Sequence, residues 1–375
     1  KIEGQSANTG LWIGGNGFDV LNNSVMINGR KTANAFYSYE LPSEIDIVNN
    51  IFVSIAGLAM DIGYYTANSS QIIDYNSYYT EGNHLVKMGS TTFDDLAALQ
   101  AAHPGINVHS VGYNPLWDED MHVRSQYLRG IAQVRDEFDD DINEIYRGEA
   151  WDIGAEQQTL PSDLSPLAGT YSVGSPSADY PTMDACIWAL QYHGINDHVI
   201  FHLEPGTYAG GYTLREYPKS AANLGVLFST ENFGSITINP ESDVMDNNYF
   251  VRTLGASNVS FMTMSLSSAA PGRNTHIFIV EGRSKKTVFR YLNITLPTSS
   301  SIAIGTRTGL GEDLWIGECN FYGTGYGVVV TGDSQDGTQF KELVITQNTF
   351  SGPTHPITVS RTDDLTISGN VIGSF

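Results

Sequence analysis

Ile345-Thr-Gln-Asn348-Thr-Phe350 is matched 22 residues later by Ile367-Ser-Gly-Asn370-Val-Ile372. Each stretch carries an apolar residue, an amide three positions on, and a second apolar residue two beyond that. The same phrase stands at Val20, Asn23 and Val25, at Ile47, Asn50 and Phe52, and at Ile73, Asn76 and Tyr78. Three further copies keep the apolar positions and change the amide: Phe261, Met264 and Leu266; Phe289, Leu292 and Ile294; Ile316, Cys319 and Phe321. The copies recur about every 27 residues with no helical pattern between them, which marks a solenoid.

A second short strand precedes each phrase. Ile277-x-Ile279, Ile302-x-Ile304, Val328-x-Val330, Ile357-x-Val359, Leu11-x-Ile13 and Leu58-x-Met60 alternate, so one face of each points into a core. Gly, Ser, Asn and Asp fill the joints, as in Gly14-Gly15-Asn16-Gly17 and Gly332-Asp333-Ser334, where the backbone turns tightly. Such strands stacked in parallel make an all-β helix whose coils lie roughly 4.8 Å apart. At that spacing Asn23, Asn50, Asn76, Asn348 and Asn370 are expected to form a structural ladder, each amide bonding the one above and below.

Signals for the ends of the solenoid lie in the middle of the chain. Residues 81–157 break the period and hold one short helix, opened by Thr92-x-x-Asp95, carrying Leu96 and Leu99 and closed by Pro104-Gly105. Thr182 begins a second helix with Met183, Ile187 and Leu190 on one face and Gly194 after it. Helices so placed cover the core and unpaired edge of a terminal coil. The expected organisation is therefore 1–80 as the last coils of one module, 81–157 as its capping region and 158–166 as a linker. Residues 167–210 then form the cap and first strand of the next module, and 211–375 its coils. Joining residue 375 to residue 1 would set Asn370 and the next Asn23 28 residues apart, the step found elsewhere in the repeat. Neighbouring copies in tandem or end to end are the expected partners.

With 38 Gly among 375 residues and a formal charge of −22, the chain is turn-rich and acidic. That charge argues against nucleic acid and anionic membrane, which need clustered Lys and Arg. No apolar run approaches the roughly 18 residues of a membrane helix. Cys186 and Cys319 fall in different elements and read as buried thiols, with a disulfide left open.

LAGTYSVG (167–174), ADYPTMDACIWAL (178–190) and VIFHLEPGTY (199–208) resemble the module start of right-handed parallel β-helix repeat proteins with the pectin-lyase-like fold, in the form found in very large secreted bacterial surface proteins. DYNSYY (74–79), NPLW (114–117) and DIGAE (152–156) look like that family's module end. The resemblance implies an exported protein at the cell surface, often serving attachment or gliding. It leaves activity open, because the fold hosts lyases, hydrolases and non-enzymatic adhesins.

Hydrolases of this fold work with paired carboxylates. Asp363-Asp364 superficially fits, but by period it falls in a turn together with Glu312-Asp313 and Lys341-Glu342. A lyase phrase would fall near Leu314-Trp315-Ile316-Gly317, which has neither Asp nor His. His198, His202 and Glu204 share a strand face that reads as solvated, not metal-binding. Asp139, Asp141 and Asn143 space oxygen ligands as calcium loops do, yet Glu144 and Ala150 stand where an EF-hand needs Gly and Glu. Calcium is the one candidate cation. Trp12, Tyr64-Tyr65, Tyr75 and Tyr78-Tyr79 could stack on sugar rings, though core filling and edge covering are the expected roles.

The function expected from these features is a non-enzymatic structural and adhesive rod module, without a cofactor. The alternative is a carbohydrate-binding or polysaccharide-degrading β-helix protein whose partner is a surface polysaccharide.

Overall fold

The computed structural model describes residues 2–3, 8–15, 17–67, 70–118, 120–135, 138–158, 165–239, 248–269, 275–306, 311–332 and 339–373. Most of the expected linker lies outside them, as do Asn16, Asp333, Ser334, Lys1 and Phe375. The chain divides into two compact units, residues 1–164 and 165–375. The fold is a right-handed parallel β-helix.

In the first unit, Val20–Leu21, Ile45–Val48 and Gln71–Asp74 stack as one sheet, with Val20, Ile47 and Ile73 in register. Ser24–Asn28, Ile51–Ser54 and Ser77–Thr80 form the second, with Val25, Phe52 and Tyr78 in register. Thr9–Ile13, Asn34–Glu40 and Leu58–Tyr64 form the third. That third sheet runs further than the repeat phrase suggests. Val86–Met88 pairs in parallel with it, and Thr91–Phe93 folds back antiparallel as a hairpin that closes the edge. Helix α1 spans Leu96–Ala102, and its N-cap is Asp95, which accepts from the Ala98 N–H at 2.8 Å. Thr92, expected to open the helix, lies in the hairpin strand instead.

The second unit begins under helix α2, Met183–His193, capped by Thr182 at its start and by Gly194 with φ 64° at its end. Met183, Cys186, Ile187 and Leu190 are buried against the first coil. Coil after coil then repeats one register: Phe201, Phe228, Phe261, Phe289, Ile316, Ile345 and Ile367 occupy a single inward row. The first four rings stack at centroid distances of 5.2, 5.3 and 5.4 Å.

The amide slots bond as follows. Asn23 Nδ2 donates to Asn50 Oδ1 at 2.9 Å and Asn50 Nδ2 to Asn76 Oδ1 at 3.0 Å, while the Asn76 N–H donates to Ser110 Oγ. In the second unit the Cys319 N–H donates to Asn348 Oδ1, and Asn348 Nδ2 to Asn370 Oδ1 at 3.0 Å. The residue before each slot turns the corner with positive φ: Asn22, Asn49, Tyr75, Thr263, Tyr291, Glu318 and Gln347 lie between 53° and 61°. For a β-branched residue such as Thr263 that conformation is costly.

Both cysteines are free and buried. Burial pushes the Cys319 thiol from 9.0 up to about 12, and the Tyr127 and Tyr180 phenols from 10.0 to about 12. Raised folded values mean that these groups favour folding fully below their unfolded values. The contribution is lost as pH rises from about 9 through about 12. Stability measured by urea titration is therefore expected to fall steadily across that window. A flat profile to pH 12 would show that these groups are solvated.

Candidate functional site

The third sheet of the first unit turns Phe36, Ser38, Met60 and Ile62 inward, so the alternate residues face out. Register then sets Trp12, Tyr37, Asp61 and Lys87 in one outward row across four coils. Trp12 meets Tyr37 edge to face at 5.7 Å and is 75% exposed. Two residues along, Tyr39 is paired with Tyr64 at 5.5 Å, the two being 60% and 63% exposed.

Glycine decides what Tyr39 can do. Its neighbour in the next coil is Gly63, where a Cβ would come within 2.8 Å of the Tyr39 carbonyl oxygen. On the other side Gly14 and Gly15 follow the strand Thr9–Ile13, with open space around both Cα atoms. No side chain stacks beside the phenol from either glycine position. A groove of about 360 Å³ remains, lined by Gly14, Gly15, Tyr39, Glu40, Leu41, Pro42 and Ser43. Lys87 Nζ is committed to Asp61 Oδ1 at 3.1 Å. The face therefore offers exposed rings and the carboxylate of Glu40, which has no partner among the described residues, with one neutralised ion pair at its margin.

Aromatics singled out in the sequence separate into two groups. Tyr78 and Tyr79 are buried, and Tyr75 stacks on His109 at 4.5 Å, as core filling and edge covering require. Trp12 and Tyr64 are the exception and stand in solvent, because alternation turns Trp12 outward and Tyr64 ends its strand. Tyr37 and Tyr39, which the sequence reading passed over, complete their face. The signal was present as Phe-Tyr-Ser-Tyr at 36–39, an alternation with both Tyr in the outward phase.

The other candidates lie elsewhere. Asp141 accepts from the N–H groups of Asn143, Ile145 and Gln157. Burial opposes its ionisation, but those bonds and the Arg147 charge hold its carboxyl below the usual range. Asp139 and Asn143 border this turn, where the Asp139 carbonyl accepts from the Arg147 N–H. His202 Nδ1 meets Ser229 Oγ at 3.0 Å, and His198 Nδ1 accepts from the Gly225 N–H. Among the described residues no group of three or more His, Cys, Asp or Glu is placed to hold a metal ion. Asp363 and Asp364 continue the turn row of Glu312-Asp313 and Lys341-Glu342, and Asp313, Glu342 and Asp364 each have φ of 54–57°. In the second unit Trp315 also faces out, but the Arg290 guanidinium lies 5.4 Å from its ring and is paired with Glu318.

No family model and no curated protein matches the chain. Two solved structures of the pectin methylesterase from Aspergillus niger, in deglycosylated and penultimately deglycosylated form, are similar to it. Each has 15% identity and a TM-score of 0.32, covering 56% of this chain and 77% of the other. The likeness is one of fold. The two similar structures are of an enzyme, and that is the finding against the expected non-enzymatic role. Among the described residues no helix is long and apolar enough to cross a membrane.

Proposed function

We propose that this chain is a carbohydrate-active β-helix protein that works outside the cell and holds a neutral polysaccharide along the aromatic face of its first unit. The observation that carries the reading is Tyr39, an exposed ring set between glycine rungs beside a groove. Sugar rings present flat C–H faces that rest on aromatic faces, while their hydroxyls seek nearby acceptors such as Glu40. Trp12, Tyr37 and Tyr64 extend the platform across neighbouring coils. Charge supports a neutral ligand over a polyuronate. Residues 1–164 carry 23 Asp and Glu against 8 Lys and Arg, and the one Lys on this face is paired with Asp61.

Calorimetric titration against cellohexaose, xylohexaose, laminarihexaose and polygalacturonate tests the reading, with reducing ends assayed in the same samples. At least one neutral oligosaccharide is expected to bind. Tyr39→Ala should weaken that binding by about 30-fold and Trp12→Ala by about 10-fold, the loss typical of an aromatic anchor. Both residues are exposed, so unfolding midpoints should stay unchanged. Tightest binding to polygalacturonate, or indifference to both substitutions, would sink the proposal.

A further inference from the structure

Alternation in the second unit turns Val199, Phe201, Val226 and Phe228 inward and leaves Ile200 and Leu227 facing out. Register continues that outward row through Ser260 and Val288. Neighbouring coils thus present Ile, Leu, Ser and Val along a line of about 14 Å, three coil steps of ~4.8 Å. All four are half-buried. Ser260 is shorter than its neighbours, and a groove of about 400 Å³ opens over the row. Trp315, the next residue in the row, does not line it, since its ring lies against the Arg290 guanidinium.

The corner before this row builds one wall. Asn258, with φ 59°, donates from Nδ2 to the Ala222 and Leu224 carbonyls at 2.7 and 3.0 Å, which ties residues 222–224 to its coil. A Cβ at Gly225 would come within 2.5 Å of the Asn258 carbonyl oxygen, so a larger residue would push that wall aside. The Gly225 N–H donates to His198 Nδ1 at 3.2 Å. With that lone pair engaged, the His198 ring offers a ligand only an N–H.

Lys286 stands at the other end of the same corner, exposed and without a partner among the described residues. Its neighbour Lys285 is paired with Glu312, and Arg290 with Glu318. Two carboxylates border the corner. Asp197 accepts the His198 N–H at 2.7 Å. Asp313 lies one coil beyond Lys286, between the paired positions Lys285–Glu312 and Thr287–Leu314, and makes no ion pair with it.

The floor of the groove is aliphatic and holds no aromatic ring, which suits a hydrocarbon better than a sugar. Its rim supplies an ammonium and an imidazole N–H, both donors, and so calls for an acceptor. Its volume is that of a small-molecule site. We infer that this groove binds a single amphiphilic carboxylate, a fatty acid of medium length, with its chain along Ile200, Leu227 and Val288 and its carboxylate against Lys286. The site lies in the second unit and shares no residue with the aromatic face of the first.

Calorimetric titration of the full chain with decanoate, decanol and decyltrimethylammonium, each below its micelle-forming concentration, tests the inference. Decanoate should bind tightest and the cation weakest, although a net charge of −22 favours the cation in any unspecific contact. Lys286→Gln should weaken decanoate by about 5-fold and leave decanol unchanged. Asp313→Asn should tighten decanoate by about 3-fold, again without effect on decanol. Leu227→Gln should weaken both by about 10-fold. Ser260→Tyr fills the floor from a half-buried position and should abolish binding of both, with an unchanged unfolding midpoint as the sign that it folds. No binding of decanoate, tightest binding of the cation, or affinities indifferent to Lys286→Gln and Ser260→Tyr would overturn the inference.

Discussion

Asn50→Leu is expected to remove about 4 kcal/mol from the stability of the first unit, although the substitution adds apolar volume to a buried position. Asn50 is wholly buried, and every polar atom of its side chain is engaged. Nδ2 donates to the Val20 carbonyl, the Val48 carbonyl and Asn76 Oδ1, while Oδ1 accepts from the backbone N–H and Nδ2 of Asn23. Leucine would strand these partners inside the coil, where an unsatisfied group costs about 1–3 kcal/mol. Asn370→Leu makes the internal comparison. Asn370 is only half-buried where Asn50 is wholly buried, so the cost should be smaller, under about 2 kcal/mol. Urea unfolding of the two variants measures the difference. Equal, small effects would mean that the amides are spectators of a coil held by its aliphatic interior alone.

Phe261→Ala should cost about 3–5 kcal/mol, as large-to-small changes at buried aromatic sites do. The ring is fully buried, stacked on Phe228 and Phe289 and in contact with Phe278 at 4.8 Å. A solenoid depends on its nearest neighbours, so the damage should be local in sequence terms. Amide exchange is expected to speed up in Val226–Ser229 and Lys285–Leu296, the strands on either side. Phe261→Leu should recover most of the loss by refilling the volume. Loss of protection throughout residues 165–375 at once would argue for one all-or-none unit.

The coil was legible because its period is written in residues that can do little else in sequence: an apolar pair and an amide at fixed offsets. Cys319 and Leu292 could be placed in the Asn row despite their chemistry, since the flanking Ile316, Phe321, Phe289 and Ile294 kept the spacing. Val86–Met88 was less legible. Three residues carry too little alternation to announce a strand, and its pairing with Met60–Ile62 is a fact of stacking. Asp95 displaced Thr92 as the helix cap because the hairpin claimed Thr92 first.

The aromatic face was half legible for a different reason. Sequence gives the phase of each strand but not which coils lie side by side, so Trp12, Tyr37 and Tyr39 could not be seen to share a surface. Nor could the role of Gly14 and Gly63 be read, since a glycine beside a turn has many uses. Only the register showed that they leave the Tyr39 ring with Tyr64 on one side and the groove beside it. The expectation of a non-enzymatic structural and adhesive rod rested on negative charge, missing catalytic phrases and ends in register, none of which speaks to an aromatic face built from common residues.

The central claim is that a neutral sugar rests on the Tyr39 ring between two glycine rungs. A crystal of this chain soaked with the neutral hexasaccharide that binds in calorimetry tests it most directly. The account predicts a sugar ring stacked on Tyr39, with a hydroxyl within hydrogen-bonding distance of Glu40 and the chain running toward Trp12 and Tyr37. A saccharide bound on any other face, with the Gly14–Tyr39 groove empty, would contradict it.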